Sequence, residues 1–221
     1  MAFYEKYVNS KFYHFTDFLF KFIMLNILMI ITSILGLIII GLPISILTGV
    51  LTLRMIYKKG ASGVFKIYFK TLKYVLKRSI RAIIVFVILL AILAFNITFF
   101  YTGLEPFNWY YFFSFMVMLL MFIITIVSFI HGLMLSSIYD LSLKSLFKHS
   151  YLLSFGLSVR GLIFLVGSII IVYTLILIPI LVIFVGLSSF SLLIYTTLTL
   201  GYSKIDSLES SLNEIIEKLY D

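Results

Sequence analysis

The chain predicts an all-α fold, a polytopic bundle of transmembrane helices, on three observations. Hydrophobic residues make up 62% of its 221 positions, and the mean hydropathy is +1.18. A soluble domain is nearer half apolar, and one of this size leaves too much surface exposed to hide the excess. Uncharged apolar runs recur that are long enough for a hydrocarbon core about 30 Å thick. The charges are also segregated: no acidic residue lies between Asp17 and Glu105, while nine cations crowd into Arg54–Arg81. Loops rich in Lys and Arg stay in the cytoplasm, so the net charge of +8 reads as membrane orientation, and no nucleic-acid partner is expected. With no cysteine, disulfides, thiolate nucleophiles and Cys-ligated metals are excluded. Residues 1–221 read as a single transmembrane domain.

Residues 1–21 mix aromatics and charges. Phe12, Phe15, Leu19 and Phe22 recur at helical spacing, so an interfacial lead-in is expected. Glu5 and Asp17 interrupt the segment and no small-x-small site follows, so the first apolar run reads as a retained anchor, not a cleaved signal peptide. Phe22–Leu53 is uncharged for 32 residues, about 48 Å as one helix and too long for one crossing. Gly41-Leu42-Pro43 supplies a break, because glycine suits a helix end and proline a helix start. The expectation is a hairpin of helices from about Asp17 to Ile40 and from Pro43 to Tyr57, with Arg54 and Lys58 snorkelling to the interface.

After a polar turn at Lys59–Gly63, residues 64–79 read as an amphipathic surface helix. Lys66, Lys70, Lys73 and Lys77, continued by Arg81, form a basic face for anionic headgroups, with Phe65, Phe69, Leu72 and Leu76 as its apolar stripe. A plain solvated helix is the alternative. Ala82–Tyr101 is the next span. The loop Thr102–Asn108 carries Glu105 and no cation, hence lies outside, and Trp109, Tyr110 and Tyr111 suit the membrane boundary. Phe112–Ile138 spans again. Asp140–Gly161, with Lys144, Lys148, His149 and Arg160, lies inside and contains a second amphipathic segment at 141–156. Leu162–Leu200 is too long for one helix; a break at Gly186–Ser189 and a kink at Pro179 divide it. Residues 203–221 form an amphipathic tail with Leu208, Leu212, Ile215 and Leu219 on one face. Six crossings with both termini cytoplasmic keep every Lys and Arg on one side. A four-span alternative places Lys11 and Lys21 outside, against the charge bias. A multi-pass protein of a bacterial cytoplasmic membrane is therefore expected. Whether the segments 43–57 and 188–202 cross fully is left open.

The basic segments echo each other at an offset of 82 residues: Ile56-Tyr57 with Ile138-Tyr139, Phe65-Lys66 with Phe147-Lys148, and Arg78 with Arg160. Parallel repeats of this kind occur in transporters, though a small membrane alphabet also aligns by chance.

The run Asn26–Leu28, Thr32–Gly36, Gly41–Pro43, Leu53–Tyr57 and Val64-Phe65-Lys66-Ile67-Tyr68-Phe69-Lys70 resembles the YesL-like family of bacterial membrane proteins, a domain of unknown function. The likeness covers roughly residues 18–100 and lies in an N-terminal hairpin with a Gly-x-Pro turn, a basic exit and a Val-Phe-Lys-x-aromatic-aromatic segment. It implies an accessory role linked to carbohydrate uptake by membrane transport complexes, and it brings no catalytic residues.

Few side chains offer chemistry. His131, with Ser128 one turn earlier, marks a candidate intramembrane polar site together with Asn96; a proton relay or solute ligand competes there with plain interhelical hydrogen bonding. Asn26 reads as a buried amide that knits helices. Asp140 is expected to pair with Lys144 at i+4. His14 and His149 lie at the basic face, apart from His131, so no metal site is expected, and no cofactor. General acid–base catalysis needs positioned titratable groups, which the spans scarcely supply. A non-enzymatic accessory or regulatory membrane protein is the leading expectation, contacting a partner through its basic helices or acidic tail. A small transporter or channel for a neutral solute is the alternative.

Overall fold

The computed structural model describes residues 11–60, 63–105 and 107–220. Its helices are α1 (Lys11–Leu35), α2 (Gly41–Lys59), α3 (Val64–Thr102), α4 (Trp109–Ile138), α5 (Leu143–Gly156), α6 (Ser158–Leu177), α7 (Leu187–Thr197) and α8 (Asp206–Tyr220). A π-helical turn, Val182–Gly186, leads into α7, and a 3-10 turn, Thr199–Lys204, follows it. No strand occurs among the described residues. Five helical stretches are long and apolar enough to cross a membrane: Lys11–Leu35, Val64–Thr102, Trp109–Ile138, Ser158–Leu177 and Val182–Tyr202. The fold is a polytopic membrane-type helical bundle. Residues 1–10 of the expected lead-in, and Pro106, lie outside the described residues.

The expected sixth crossing, α2, is not one of these five. It is the central helix of the bundle, buried along nearly its whole length from Pro43 to Ile56. Its hydropathy is diluted by Ser45, Thr48, Gly49 and Thr52, and small residues of this kind let helices approach closely. Gly49 shows why: a methyl group there would stand 2.5 Å from Ser191 Oγ and 2.7 Å from Met29 Sδ.

The α1–α2 hairpin forms as expected, but its break lies at residues 36–40. Gly41 opens α2 instead of closing α1, and Pro43 sits in the first helical turn, where its missing N–H costs little. The chain reverses through Leu37 and Ile38, both with positive φ, at 58° and 52°. Gly36 and Gly41 then meet backbone to backbone, and Ser33 Oγ and Ser45 Oγ pair at 2.7 Å below the turn.

Residues 64–79 and 82–101 do not form two elements. They run together in the 39-residue α3, about 58 Å long at 1.5 Å per residue. No glycine or proline interrupts Val64–Thr102, and nothing else there breaks a helix. Its uncharged part, Ala82–Thr102, is about 31 Å long and matches a hydrocarbon core. α4 begins at Trp109, so the boundary aromatics belong to it, and Asn108 caps it by accepting from the Tyr110 amide at 2.9 Å. α4 returns antiparallel to α3, with Tyr111 over Gly103, Gly132 against Phe86 and Ser136 donating to Ser79 at 2.9 Å.

α5 folds back along the end of α4, where Ser128 and Ser154 pair at 2.9 Å. The helix breaks at Leu157, and α6 goes on. Here the two halves of the 82-residue echo differ, since the first basic segment joins its span without a break. The long run after Gly161 breaks at residues 178–180, not at Gly186. Ile178 takes φ −130° and ψ 77° because the residue before a proline is driven out of the helical region. Gly186 is helical and closes the π turn. Asn26 fills that irregular stretch, its Nδ2 donating to Val182 O at 2.9 Å and Ile183 O at 2.7 Å, while its Oδ1 accepts from the Ser188 amide at 3.0 Å.

Outward, α6 shows Leu162, Ile163, Val166, Ile169 and Ile170, all more than half exposed. Lipid covers such a surface as readily as protein does.

Candidate functional site at the basic end of the bundle

The inner stripe of α3 consists of Val64, Ile67, Tyr68, Thr71, Val75, Ser79 and Ala82. It packs on the rest of the bundle, and Tyr68 hydrogen-bonds Thr32 of α1. Leu72, Tyr74 and Arg78 flank the stripe half-buried, and the outer side is exposed. Lys66, Lys70, Lys73, Lys77 and Arg81 are all exposed, along roughly 22 Å of rigid helix. Among the described residues none of the five makes an ion pair, whereas Lys21, Arg54, Lys58 and Arg78 do. Phe65 (55% exposed), Phe69 (41%) and Leu76 (40%) stand among them instead of forming an inward stripe. The predicted basic face exists, but as the outer side of a helix fixed to the bundle.

Arg54 does not snorkel. It is 2% exposed and donates from Nη2 to Glu209 Oε1 at 2.7 Å and to Asn213 Oδ1 at 3.2 Å. Lys58 donates to the same two oxygens, both at 2.7 Å. Two cations thus share one carboxylate oxygen. Burial alone pushes the Glu209 carboxyl up, but the hydrogen bonds from Lys58 and Arg54 outweigh it and hold the group below the usual carboxylate range. This clasp docks the tail helix. Leu208, Leu212, Ile216 and Leu219 are buried beneath α8, and Ile215 packs half-buried beside them, so Ile216 is the addition to the expected face. The tail expected to reach for a partner is folded on its own bundle. The four-residue spacing of Glu209 and Asn213 puts them on one face beside that apolar stripe, but nothing in the spacing names Arg54 and Lys58 as their partners.

Asp140 pairs with Arg78 at 2.9 Å, not with Lys144. α5 begins only at Leu143, so Asp140 and Lys144 do not share a helix face. Arg78 also donates to Tyr74 Oη at 2.9 Å, and Tyr74 donates to Ser137 O at 2.6 Å, which ties α3 to the end of α4.

The three-residue intramembrane site does not assemble. His131 is fully buried with its Nδ1 2.6 Å from Tyr202 Oη, and no partner meets Nε2 among the described residues. Ser128 pairs with Ser154. Asn96 lies elsewhere on α3, donating to its own helix at Ile92 O at 2.8 Å. His131 adjoins Gly132, which faces Phe86. That places it about 8 Å along the bundle from Arg81. Tyr202, its partner, gave no sequence signal, because 71 residues separate them. No group of three His, Asp or Glu side chains gathers to hold a metal among the described residues.

Residues 22–97 match the family model described as Protein of unknown function, DUF624. They run from α1 into the apolar part of α3 and coincide with the stretch that carries the sequence resemblance. Neither the curated proteins nor the solved structures compared with the chain gave a match.

Proposed function

We propose that this protein is a non-enzymatic component of a bacterial cytoplasmic membrane that assists or regulates a transport system for carbohydrate. Its basic end faces the cytoplasm, as the segregation of cations favours. The observation that carries the reading is the outer face of α3, where Lys66, Lys70, Lys73, Lys77 and Arg81 stand exposed on a helix whose other side is bonded into the core. Unneutralised charge on a rigid helix is suited to an acidic counterpart, because the backbone is already ordered and only side-chain freedom is lost on binding. Arg81 and Lys77, nearest the apolar span, suit anionic headgroups. Lys66 and Lys70 lie about 17–22 Å further along the helix than Arg81 and suit the acidic surface of a transport partner. The link to carbohydrate rests on the YesL-like resemblance, with which the family match is consistent.

The two grooves along α6 are lined by side chains such as Phe164, Ile169, Val172, Ile123 and Leu162. Such walls offer little to a solute's hydroxyls, which supports the accessory role over a neutral-solute pathway. The test is co-purification in mild detergent from the native membrane, with sugar uptake measured in parallel. The parent chain should retain a transport component, and K66E/K70E/K73E/K77E should lose it and lower uptake. Recovery of the protein alone, with uptake unchanged by the four reversals, would overturn the reading.

A further inference from the structure

Where α4 ends, α5 and α8 enclose a groove of about 400 Å³ that takes no part in the site above. The volume falls within the roughly 300–1,000 Å³ typical of small-ligand pockets. Leu152, Leu153 and His149 form one wall, and Leu135, Tyr139 and Leu208 form the floor and the other. Tyr139 Oη lies 3.1 Å from both Ser207 O and Ser211 Oγ, which fixes the α8 wall to the end of α4.

The exposed side of α5 changes character along its axis. Lys144, Lys148 and His149 come first, and Leu152 (62% exposed), Phe155 (64%) and Val159 (70%) follow toward α6. His149 Nδ1 is 2.7 Å from Ser145 O. A carbonyl only accepts, so Nδ1 carries the proton, and Nε2 of the neutral ring is an acceptor; the imidazole is a wall of the groove, and the phosphate donors are the lysines. Near the mouth, Asp140 is engaged by Arg78, and Asp206 is exposed between the lining residues Ile205 and Ser207. Lys144 and Lys148 outnumber Asp206, so the mouth is net cationic above an apolar groove, in the order of an anionic amphiphile.

We infer that this groove binds one anionic phospholipid of the surrounding leaflet, its phosphate at Lys144 and Lys148 and one acyl chain along Leu152, Leu153 and Leu135. Two features separate this from general attraction to the α3 face. The cations belong to a different helix, and the groove gives the chain a protein wall on both sides. Because α8 supplies one of those walls, the lipid also cements the tail helix.

The test uses the full chain with its single native tryptophan removed by W109F and a reporter introduced by L152W. The chain is reconstituted in vesicles whose phospholipid is brominated on the acyl chains. Brominated phosphatidylglycerol should quench the reporter in preference to brominated phosphatidylcholine at equal mole fraction, by about fivefold in apparent affinity for each lysine involved. K144E/K148E should erase that preference, while K66E/K70E leaves it intact, so failure here is distinguishable from failure of the α3 reading. Monodisperse elution and an unchanged helical spectrum show that each variant is folded. Equal quenching by the two lipids in the parent, or a preference that survives K144E/K148E, overturns the inference. So does equal loss with K66E/K70E, since that would mark bulk attraction to the basic end. Should L152W perturb the fold, F155W, three residues on along the same exposed side of α5, gives the same readout.

Discussion

The carboxamide of Asn26 on α1 takes the place of helix hydrogen bonds around Ser188, 162 residues away in sequence. It accepts from the Ser188 amide at 3.0 Å and donates to Val182 O and Ile183 O. The residues after Pro179 re-enter the helix through a π turn, which leaves these groups irregularly bonded. A buried backbone group without a partner costs free energy, and irregular backbone at membrane depth is tolerated only where protein satisfies it. One amide reaching across from α1 meets that requirement and locks α1 to α7.

N26A should therefore destabilise the fold by about 1–3 kcal/mol, the cost of stranding buried polar groups. Thermal unfolding in detergent, followed by circular dichroism, checks this. Deletion of the other polar side chain, N96A, should leave the transition within about 0.5 kcal/mol, because Asn96 bonds only its own helix. Equal effects at the two positions would refute the bridging role.

Glycine substitutions should separate the real break from the expected one. A methyl group at Gly36 would lie 2.4 Å from Gly41 Cα, and neither backbone can yield without opening the hairpin. At Gly186 the nearest atoms stand at 3.6–3.8 Å, ordinary contact, in a helical conformation. G36A should cost about 1–3 kcal/mol or more as overpacking, and G186A should be neutral or slightly stabilising through its effect on the unfolded chain. Paired melting curves of the two variants decide the matter.

Docking of α8 should depend on pH with a definite sign. The folded state holds the Glu209 carboxyl below its ordinary value of 4.5. A depressed carboxylate stabilises fully above the unfolded value and loses that contribution as pH falls through the folded one. In a chain without native cysteine, L212C is buried beneath α8 and reports its release. Labelling by a methanethiosulfonate reagent, divided at each pH by the rate at the exposed S210C because only the thiolate reacts, should be slow at neutral pH and accelerate below about pH 4.5. In E209Q that ratio should be high throughout and flat with pH. A flat profile in the parent would show that the clasp does not hold the tail.

The sequence was enough for the class of fold, because lipid imposes a one-dimensional rule: apolar length and charge segregation alone specify spans. It also exposed the lysines of α3, whose alternating four- and three-residue spacing is a local helical property. It placed Pro179 and the Gly41–Pro43 region at irregular points, since proline and glycine act on their own backbone. What it missed is non-local in every case. Gly41 and Gly186 were misassigned because a glycine's meaning depends on what approaches it: another backbone at the first, open packing at the second. Helix α2 looked like a weak span and proved to be the centre of the bundle, since a helix surrounded by helices needs small residues more than oily ones. Arg54 with Glu209, Asp140 with Arg78, and His131 with Tyr202 could not be paired from spacing. Their partners arrive through the packing of α8, α3 and the turn after α7, and a charge or ring placed at a helix end has several possible neighbours until the bundle closes and chooses one.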